Sequence, residues 1–342
     1  MSSGRTSYRV PVAEVISETD QACSLVLDIP AGLVGVFAYR PGQFLTIRVP
    51  TPDGGSVARC YSLCSSPHAG DQPAVTVKRV ASGYASNWIA DNVRPGTVLD
   101  LLPPAGTFTP PSLDADFLLL AAGSGITPVM SILRSALAAG RGRIALIYAN
   151  ADERSVIFGE RLARLRAEAP GRLVLLHWLD GLAGPPDAAA LRELARPYAG
   201  YDTYVCGPDP YMAAARQAAA ELGVPAKRVH TERFLSLAEN PFEAAEPPET
   251  SVAATLAVEI DGTVHTLDWP AGRRMLDVMI DGGLDASYSC REGVCGACAC
   301  RLLAGEVEMA HNEVLEATDL AGGYVLACQS VALTGQVSVS YD

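Results

Sequence analysis

The sequence of 342 residues has no apolar stretch approaching the roughly 20 residues that a membrane-spanning helix needs. Its longest apolar candidate, Phe117–Ala122, has the length of a buried strand. The N-terminal segment Met1–Tyr8 lacks the apolar core of a secretory signal peptide. We therefore expect no membrane partner and a cytoplasmic location.

Positive charge is scarce and unevenly distributed. The formal net charge of −12 argues against a nucleic-acid partner. Residues 253–342 contain 13 acidic residues, four arginines and no lysine, so this segment alone has a formal charge of −9. Such a segment predicts a docking surface for a basic partner, although a merely solvated acidic surface is the alternative.

Nine cysteines, an odd number, occur in a chain without an export signal, so metal ligation or burial is expected in place of disulfides. Four of them have the spacing C-x4-C-x2-C followed by a distant cysteine, which is typical of a plant-type [2Fe–2S] cluster. These four predicted ligands are Cys290, Cys295, Cys298 and Cys328. A zinc site would normally show a second C-x2-C pair. Cys300 also lies nearby, but Cys298 has the required spacing, and we interpret Cys300 as a buried strand residue.

Residues 8–112 alternate as short strands separated by turns rich in glycine and proline, which predicts a small antiparallel β-barrel. One strand ends in Arg59–Leu63, where arginine can pair with a phosphate, tyrosine can stack on a flavin ring and Ser62 can hydrogen-bond near its reactive N5. A second segment, Gly83–Ser86, enters a predicted helix whose N-terminus suits a pyrophosphate. Together they predict flavin contacts from Arg59, Tyr61, Ser62, Leu63, Gly83, Ala85 and Ser86, and Val77 on the intervening predicted strand is a further candidate.

Residues 113–235 alternate between apolar strands and helices, which predicts a doubly wound parallel sheet with helices on both faces. The segment Gly123-Ser-Gly125-Ile-Thr127 stands at a strand-to-helix junction, where glycines and a helix N-terminus accommodate a pyrophosphate. Cys206-Gly207-Pro208 ends another strand, at the edge where such sheets bind ligands. We expect Cys206 to line the nicotinamide pocket and help to position the hydride donor.

A second strand of this sheet ends near Asn150 and Asp152. An acidic residue at this position favours the free ribose hydroxyls of NADH over the 2′-phosphate of NADPH. Arg154 lies close enough to this position to leave NADPH as the alternative nucleotide. Residues 236–252 are acidic and rich in proline, which predicts a linker, and residues 253–342 form a separate C-terminal unit with the cysteine motif.

With these motifs in this order, the chain resembles the reductase components of multicomponent oxygenases, within the ferredoxin–NADP reductase superfamily. Among them it is most similar to the 3-ketosteroid 9α-hydroxylase reductases, and the phenylacetyl-CoA epoxidase reductases share the architecture. The resemblance is carried by Arg59–Pro67, Gly83–Trp88, Phe117–Pro128, Tyr148–Gly159 and Ser289–Cys300.

The resemblance implies a flavin barrel, a nucleotide-binding α/β domain and a C-terminal β-grasp ferredoxin domain. It favours FAD over FMN, and it agrees with the NADH and the [2Fe–2S] cluster inferred above. It also implies that a Rieske-type terminal oxygenase is the partner. We expect the protein to be a monomer. The segment Thr231–Phe234 matches the family segment that ends the nucleotide domain. Glu232 and Phe234 are therefore candidate cofactor contacts, with core packing as the alternative for Phe234.

The resulting hypothesis is an NADH-dependent reductase that passes electrons from NADH to FAD, to [2Fe–2S] and to an oxygenase acting on a steroid. One alternative is an NADPH-dependent reductase for a phenylacetyl-CoA-type or other aromatic oxygenase. Another is a non-enzymatic electron carrier or scaffold whose barrel and sheet bind no cofactor.

Overall fold

The computed structural model describes residues 7–234, 236–237, 240–242, 252–260 and 262–341. These residues form three successive units, each built around its own sheet. Residues 1–6 and 243–251, which include the N-terminal segment and most of the predicted linker, lie outside the described residues. Within the described ranges, no helix is both long and apolar enough to cross a bilayer.

The first unit is an antiparallel barrel with one helix. It contains β1 (Tyr8–Thr19), β2 (Ala22–Leu27), β3 (Phe44–Pro50), β4 (Ser56–Ser62), β5 (Ala74–Lys78), α1 (Tyr84–Asn92) and β6 (Val98–Leu101). The strand order is β4–β3–β6–β1–β2–β5, and a bridge between Leu63 and Val75 brings the two edge strands together. Residues two apart on a strand, such as Val75 and Val77, meet in the core because side chains alternate between faces. The predicted barrel is confirmed.

The second unit is a five-stranded parallel sheet between two layers of helices. Its elements are β7 (Phe117–Ala122), α2 (Ile126–Ala139), β8 (Ile144–Asn150), α3 (Gly159–Glu168), β9 (Leu173–Leu179), α4 (Asp180–Ala183), α5 (Ala188–Ala195), β10 (Asp202–Cys206), α6 (Asp209–Glu221) and β11 (Val229–Glu232). Leu119 on β7 packs with α2 and α3, whereas Leu118 and Leu120 pack with α5 and α6. The predicted doubly wound sheet is confirmed.

The strand order β11–β10–β7–β8–β9 fixes where this sheet can bind a ligand. The chain proceeds from β7 outward to β8 and β9, then returns to the other side of β7 as β10. A crevice therefore opens between the carboxyl ends of β7 and β10, which is the usual ligand site in such sheets.

The third unit is a mixed sheet with the β-grasp arrangement. Its elements are β12 (Ala254–Ile260), β13 (Thr263–Trp269), α7 (Met275–Asp281), β14 (Ala299–Ala304), β15 (Val307–Met309), α8 (Ala317–Ala321), β16 (Tyr324–Leu326), β17 (Ser330–Ala332) and β18 (Gln336–Ser340). The main sheet has the order β13–β12–β18–β14–β16, and β15 pairs with β17. Helix α7 contributes the buried side chains of Met275, Leu276 and Met279 to the core.

A polar contact joins the barrel to α2 of the second unit. The Arg134 guanidinium forms a bidentate ion pair with Asp71, and both side chains are about four-fifths buried, at 18% and 21% exposure. The Asp71 carboxylate also accepts from the amide of Ser66 at 2.9 Å. The charged groups are therefore well paired in the native state.

We expect Arg134→Met to lower the free energy of unfolding by about 2 kcal/mol, because it leaves a largely buried carboxylate without its cation. Chemical denaturation measures this change. Arg143→Met is the matched control, since its pair with Asp116 is more exposed and should contribute no more than about 0.5 kcal/mol. Equal effects of the two substitutions would contradict the prediction.

Candidate active site

A cavity of about 230 Å³ lies between the barrel and the N-terminal end of α2. It is lined by Arg59, Cys60, Tyr61, Ser62, Thr76, Lys78, Val80, Gly83, Tyr84, Ala85, Ser86, Ser124, Thr127, Phe234 and Ser236. Six of the eight predicted flavin residues are among them. The other two, Leu63 and Val77, are fully buried in the barrel core and do not line the cavity.

The cavity combines two cations with an aromatic side chain. Arg59 and Lys78 supply positive charge suited to phosphates, and Tyr61 supplies a ring on which a flavin can stack. The Ser86 hydroxyl accepts from the amide of Val80 at 3.1 Å, which fixes the entry to α1. These residues fit a flavin. Lys78 was missed from the sequence, where the only signal is a cation at the end of a strand.

The nucleotide-binding residues converge at the crevice between β7 and β10. A Cβ atom on Gly125 would overlap the carbonyl oxygen of Cys206, and one on Gly207 would lie 2.9 Å from the Cβ of Ala122. Gly123 has a φ of 52°. Glycine is therefore required for this close approach, which leaves main-chain groups open to a pyrophosphate. The structure thus brings together two separate motifs that the sequence predicted.

Further along this edge, Asn150 and Asp152 follow β8. Asn150 is buried, and its side-chain amide makes no hydrogen bond of ordinary geometry within the described residues. A buried amide of this kind is suited to a polar ligand group, because an unsatisfied one destabilises the fold. Asp152 is exposed and accepts from the amide of Ser155 at 2.9 Å. These residues and the glycine crevice fit a dinucleotide.

Cys206 and Glu232 end strands β10 and β11 at this edge of the sheet, and Phe234 follows β11. Cys206 is fully buried, and burial, followed by the nearby Glu232 charge, raises the pKa of its thiol. Glu232 pairs with Cys206 between β10 and β11, and burial raises the pKa of its carboxyl to about 8. Phe234 lines the flavin cavity and is 47% exposed, so it is not a core residue. Pro208 precedes α6 at the same strand end.

The four cysteines of the motif are buried and form two pairs. The Cys290 thiol interacts with that of Cys295, and the Cys328 thiol interacts with that of Cys298. These interactions lower the pKa of Cys290 and the pKa of Cys328. No three His, Cys, Asp or Glu side chains of the described residues converge as on a single ion. Two pairs of thiols suit two irons better than one zinc ion.

The cysteine loop is shaped to present main-chain donors to the sulfur atoms. Gly293 and Gly296 have φ values of 76° and 71°, which permit the tight wrapping predicted from the sequence. The amides of Glu292, Ala297 and Cys328 lie 3.4–3.5 Å from the sulfur atoms of Cys290, Cys295 and Cys298. Such donors stabilise thiolate ligands and tune the reduction potential of a cluster.

Cys300 occupies a different environment. It lies on β14 opposite Val325, and the nearby Tyr341 hydroxyl donates to the main-chain carbonyl of Cys298 at 3.5 Å. Burial raises the pKa of the Cys300 thiol to about 12, which disfavours the thiolate that a metal needs. This environment is in keeping with the interpretation of Cys300 as a strand residue.

A second cavity, of about 50 Å³, separates the flavin cavity from the cysteine loop. Cys60, Ser62 and Phe234 line both cavities, and Cys290 and Cys295 bound the second. The wall between a flavin and the cluster ligands is therefore about one side chain thick. Leu237, from the start of the predicted linker, is buried in an apolar cluster with Phe44 of the barrel and with Cys290 and Cys295. The linker is thus anchored to the barrel at its beginning.

Three family models match the chain in succession. They describe an oxidoreductase FAD-binding domain over residues 8–109, an oxidoreductase NAD-binding domain over 119–217 and a 2Fe-2S iron-sulfur cluster binding domain over 258–333. The order and positions agree with the barrel, the parallel sheet and the β-grasp unit of the structure.

Curated relatives and solved structures extend the match to the whole chain. The chain is 54% identical to the 3-ketosteroid-9-alpha-monooxygenase, ferredoxin reductase component, of Mycobacterium tuberculosis (strain CDC 1551 / Oshkosh), over 97% of this chain and 95% of the relative. It is 34% identical to one of the subunits of 1,2-phenylacetyl-CoA epoxidase from Escherichia coli (strain K12), over 98% of both. The structure of phthalate dioxygenase reductase is 25% identical with a TM-score of 0.58, over 98% of both chains.

The cavity at the barrel, the glycine crevice and the paired thiols thus define an oxidoreductase that contains FAD and a [2Fe–2S] cluster and uses a pyridine nucleotide. Within this class, the chain belongs to the family of 3-ketosteroid-9-alpha-monooxygenase ferredoxin reductase components. The FAD, NAD and [2Fe–2S] domains expected from the sequence are confirmed.

The raised pKa of Glu232 predicts a pH-dependent loss of stability. The native carboxyl holds its proton up to about pH 8, whereas the unfolded one releases it near 4.5, so unfolding is favoured as the pH rises between these values. In cofactor-free protein, Glu232→Gln should match the wild type at pH 4. At pH 9 it should be more stable, by an amount on the order of 2 kcal/mol for a partly solvated group. Chemical denaturation of both proteins at pH 4 and pH 9 measures this effect. The same difference in unfolding free energy between variant and wild type at the two pH values would contradict the prediction.

Proposed function

We propose that the protein is the NADH-dependent electron donor of a two-component, Rieske-type oxygenase that hydroxylates a 3-ketosteroid. The observation that carries this proposal is the wall of Cys60, Ser62 and Phe234, which has the flavin cavity on one side and cluster thiols on the other. A path from nucleotide to cluster within one chain is what an electron donor to an oxygenase needs. The assignment of a steroid substrate rests on the Mycobacterium tuberculosis relative. Its sequence identity to this chain is 54%, compared with 34% for the phenylacetyl-CoA epoxidase subunit.

When bound, FAD supplies two-electron acceptance from NADH and one-electron release, and the [2Fe–2S] cluster supplies one-electron transfer. The chain binds and orients these groups. Arg59 and Lys78 would bind flavin phosphates, Tyr61 would stack on the ring, and Ser62 would hydrogen-bond its reactive edge. Gly83, Ala85 and Ser86 would contact the pyrophosphate at the start of α1.

The crevice would hold the nicotinamide nucleotide against the flavin. Gly123, Gly125 and Thr127 would accommodate the pyrophosphate at the N-terminus of α2, and Cys206, Gly207 and Pro208 would line the nicotinamide pocket. The raised pKa of Glu232 keeps this carboxyl protonated at neutral pH, so that it can donate a hydrogen bond. Phe234, exposed in the cavity, would cover the flavin ring.

NADH is the expected donor because of the residues after β8. Asn150 offers a buried amide, and the Asp152 carboxylate would repel a 2′-phosphate. The acidic β-grasp unit would favour a basic face on the oxygenase. We expect the reductase to act as a monomer.

The test is reconstitution with the terminal oxygenase of a 3-ketosteroid hydroxylase. We expect steroid hydroxylation with NADH, and a much lower kcat/KM with NADPH in a dye-reduction assay. Preference for NADPH would contradict the nucleotide assignment. Electron delivery to a phenylacetyl-CoA oxygenase, with none to the steroid oxygenase, would contradict the partner assignment. Purified protein with cluster absorption but no flavin would instead indicate an electron carrier, and colourless protein would indicate a scaffold.

Cys295→Ser should abolish the visible absorption of the cluster, because an exchanged thiolate leaves one iron with a single cysteine ligand. Reduction of an artificial dye by NADH should be largely retained, since the flavin cavity is intact. Cys300→Ser is the matched control, and it should keep the cluster absorption. Loss of dye reduction in Cys295→Ser would contradict the modular route, and loss of the cluster in Cys300→Ser would contradict the ligand set.

A further inference from the structure

A hydrogen bond joins the flavin barrel directly to the cysteine loop. The Thr46 hydroxyl on β3 lies 2.7 Å from the Ser289 hydroxyl, although the two residues are 243 positions apart. Thr46 is fully buried and Ser289 is 1% exposed. Because both hydroxyls are shielded from water, the bond cannot be replaced by solvent without opening the interface.

This contact belongs to a series of polar contacts between the two redox sites. Thr46 Oγ1 is also 3.4 Å from the sulfur atom of Cys60, which lies between the flavin contacts Arg59 and Tyr61 on β4. Ser289 directly precedes Cys290. A series of contacts therefore runs from the partly buried Cys60 through the buried Thr46 and Ser289 to the first cysteine of the motif.

The surroundings of the bond are apolar. Phe44, Ala58 and Leu237 pack with Cys290 and Cys295 in one buried cluster. Apolar contacts alone tolerate small displacements of one surface along the other, whereas a buried hydroxyl pair is satisfied in only one register. The bond therefore selects a single position of the cysteine loop relative to β4.

We propose that Thr46 and Ser289 are positioning residues for electron transfer from the flavin to the cluster, an inference that rests on the function proposed above. Each transfer would move one electron from the reduced flavin to a ferric ion of the cluster. Over two transfers the flavin would also release to solvent the proton on its N5, whereas the Thr46 and Ser289 hydroxyls would keep theirs. Their effect is to hold the two groups at a fixed separation across the wall formed by Cys60.

Thr46→Val tests this proposal, because valine keeps the shape of threonine and removes its hydroxyl. The loaded protein is mixed anaerobically with NADH in a stopped-flow instrument, and bleaching of the flavin is followed separately from reduction of the cluster. We expect flavin reduction to be unchanged and cluster reduction to slow by about tenfold or more, since small misplacements of reacting groups have effects of this size. Thr46→Ser, which keeps the hydroxyl, should restore the rate.

Ser135→Ala is the matched control. The Ser66–Ser135 hydroxyl pair is equally buried, at 2.8 Å, but it joins the barrel to α2 and not to the cysteine loop. This substitution should lower the melting temperature as Thr46→Val does, without slowing cluster reduction. Redox titration should give the same flavin and cluster potentials in Thr46→Val and wild type, so that the slower rate reflects position and not driving force.

A double-mutant cycle gives a readout independent of electron transfer. Thr46→Val and Ser289→Ala should have non-additive effects on the melting temperature of cofactor-free protein if the hydroxyls interact. Ser289→Ala also replaces Thr46→Val in the kinetic test if the latter fails to assemble a cluster.

Cluster reduction at the wild-type rate in both Thr46→Val and Ser289→Ala would overturn the proposal. An equal slowing in Ser135→Ala, or a shifted cluster potential that explains the slower rate, would also overturn it. These outcomes differ from failure of the proposed function, in which NADH would not reduce the cluster of the wild-type protein.

Discussion

The packing of the cysteine loop against strands β3 and β4 is the contact on which the rest of the molecule depends. Cys290 and Cys295 are buried with barrel residues in one apolar cluster, and a hydrogen bond between Thr46 and Ser289 fixes its register. Transfer of single electrons requires redox groups that lie close together. This interface therefore joins the three units into one electron-transfer path. The flavin cavity itself draws on both the barrel and the second unit, and only the arrangement of all three units connects the bound groups.

The barrel strand β4 serves two purposes at once. Arg59 and Tyr61 contribute to the flavin cavity, while Cys60 between them also contacts Thr46 and the cavity near the cysteine loop. The nucleotide crevice meets the flavin cavity at Thr127 and Ser124. Two-electron chemistry with the nucleotide and one-electron chemistry with the cluster can thus take place at different sides of one flavin.

Motifs close together in sequence were the most predictable parts. The cysteine spacing identified four thiols that the structure pairs two by two, and Gly125 was recognised from its strand-to-helix junction. Apolar runs such as β7 were also read directly, because a strand buried on both faces has no polar positions.

Contacts between distant segments could not be read in the same way. Thr46 is an ordinary strand residue with no motif, and its partner Ser289 lies in another unit. Lys78 reaches the flavin cavity only because the barrel closes. The predicted linker showed no periodicity, yet Leu237 is buried, since its partners come from the barrel and the cysteine loop. Tertiary packing, which single-sequence patterns do not encode, decides each of these cases.

The arrangement of the three units predicts that electrons pass from nucleotide to cluster inside a single chain. The most direct test of this claim is anaerobic mixing of the wild-type protein with NADH at several protein concentrations, with flavin and cluster absorption followed in time. We predict that the flavin is reduced first and that the cluster follows at a rate independent of protein concentration. A cluster reduction rate that rises in proportion to protein concentration would show transfer between molecules and contradict this claim.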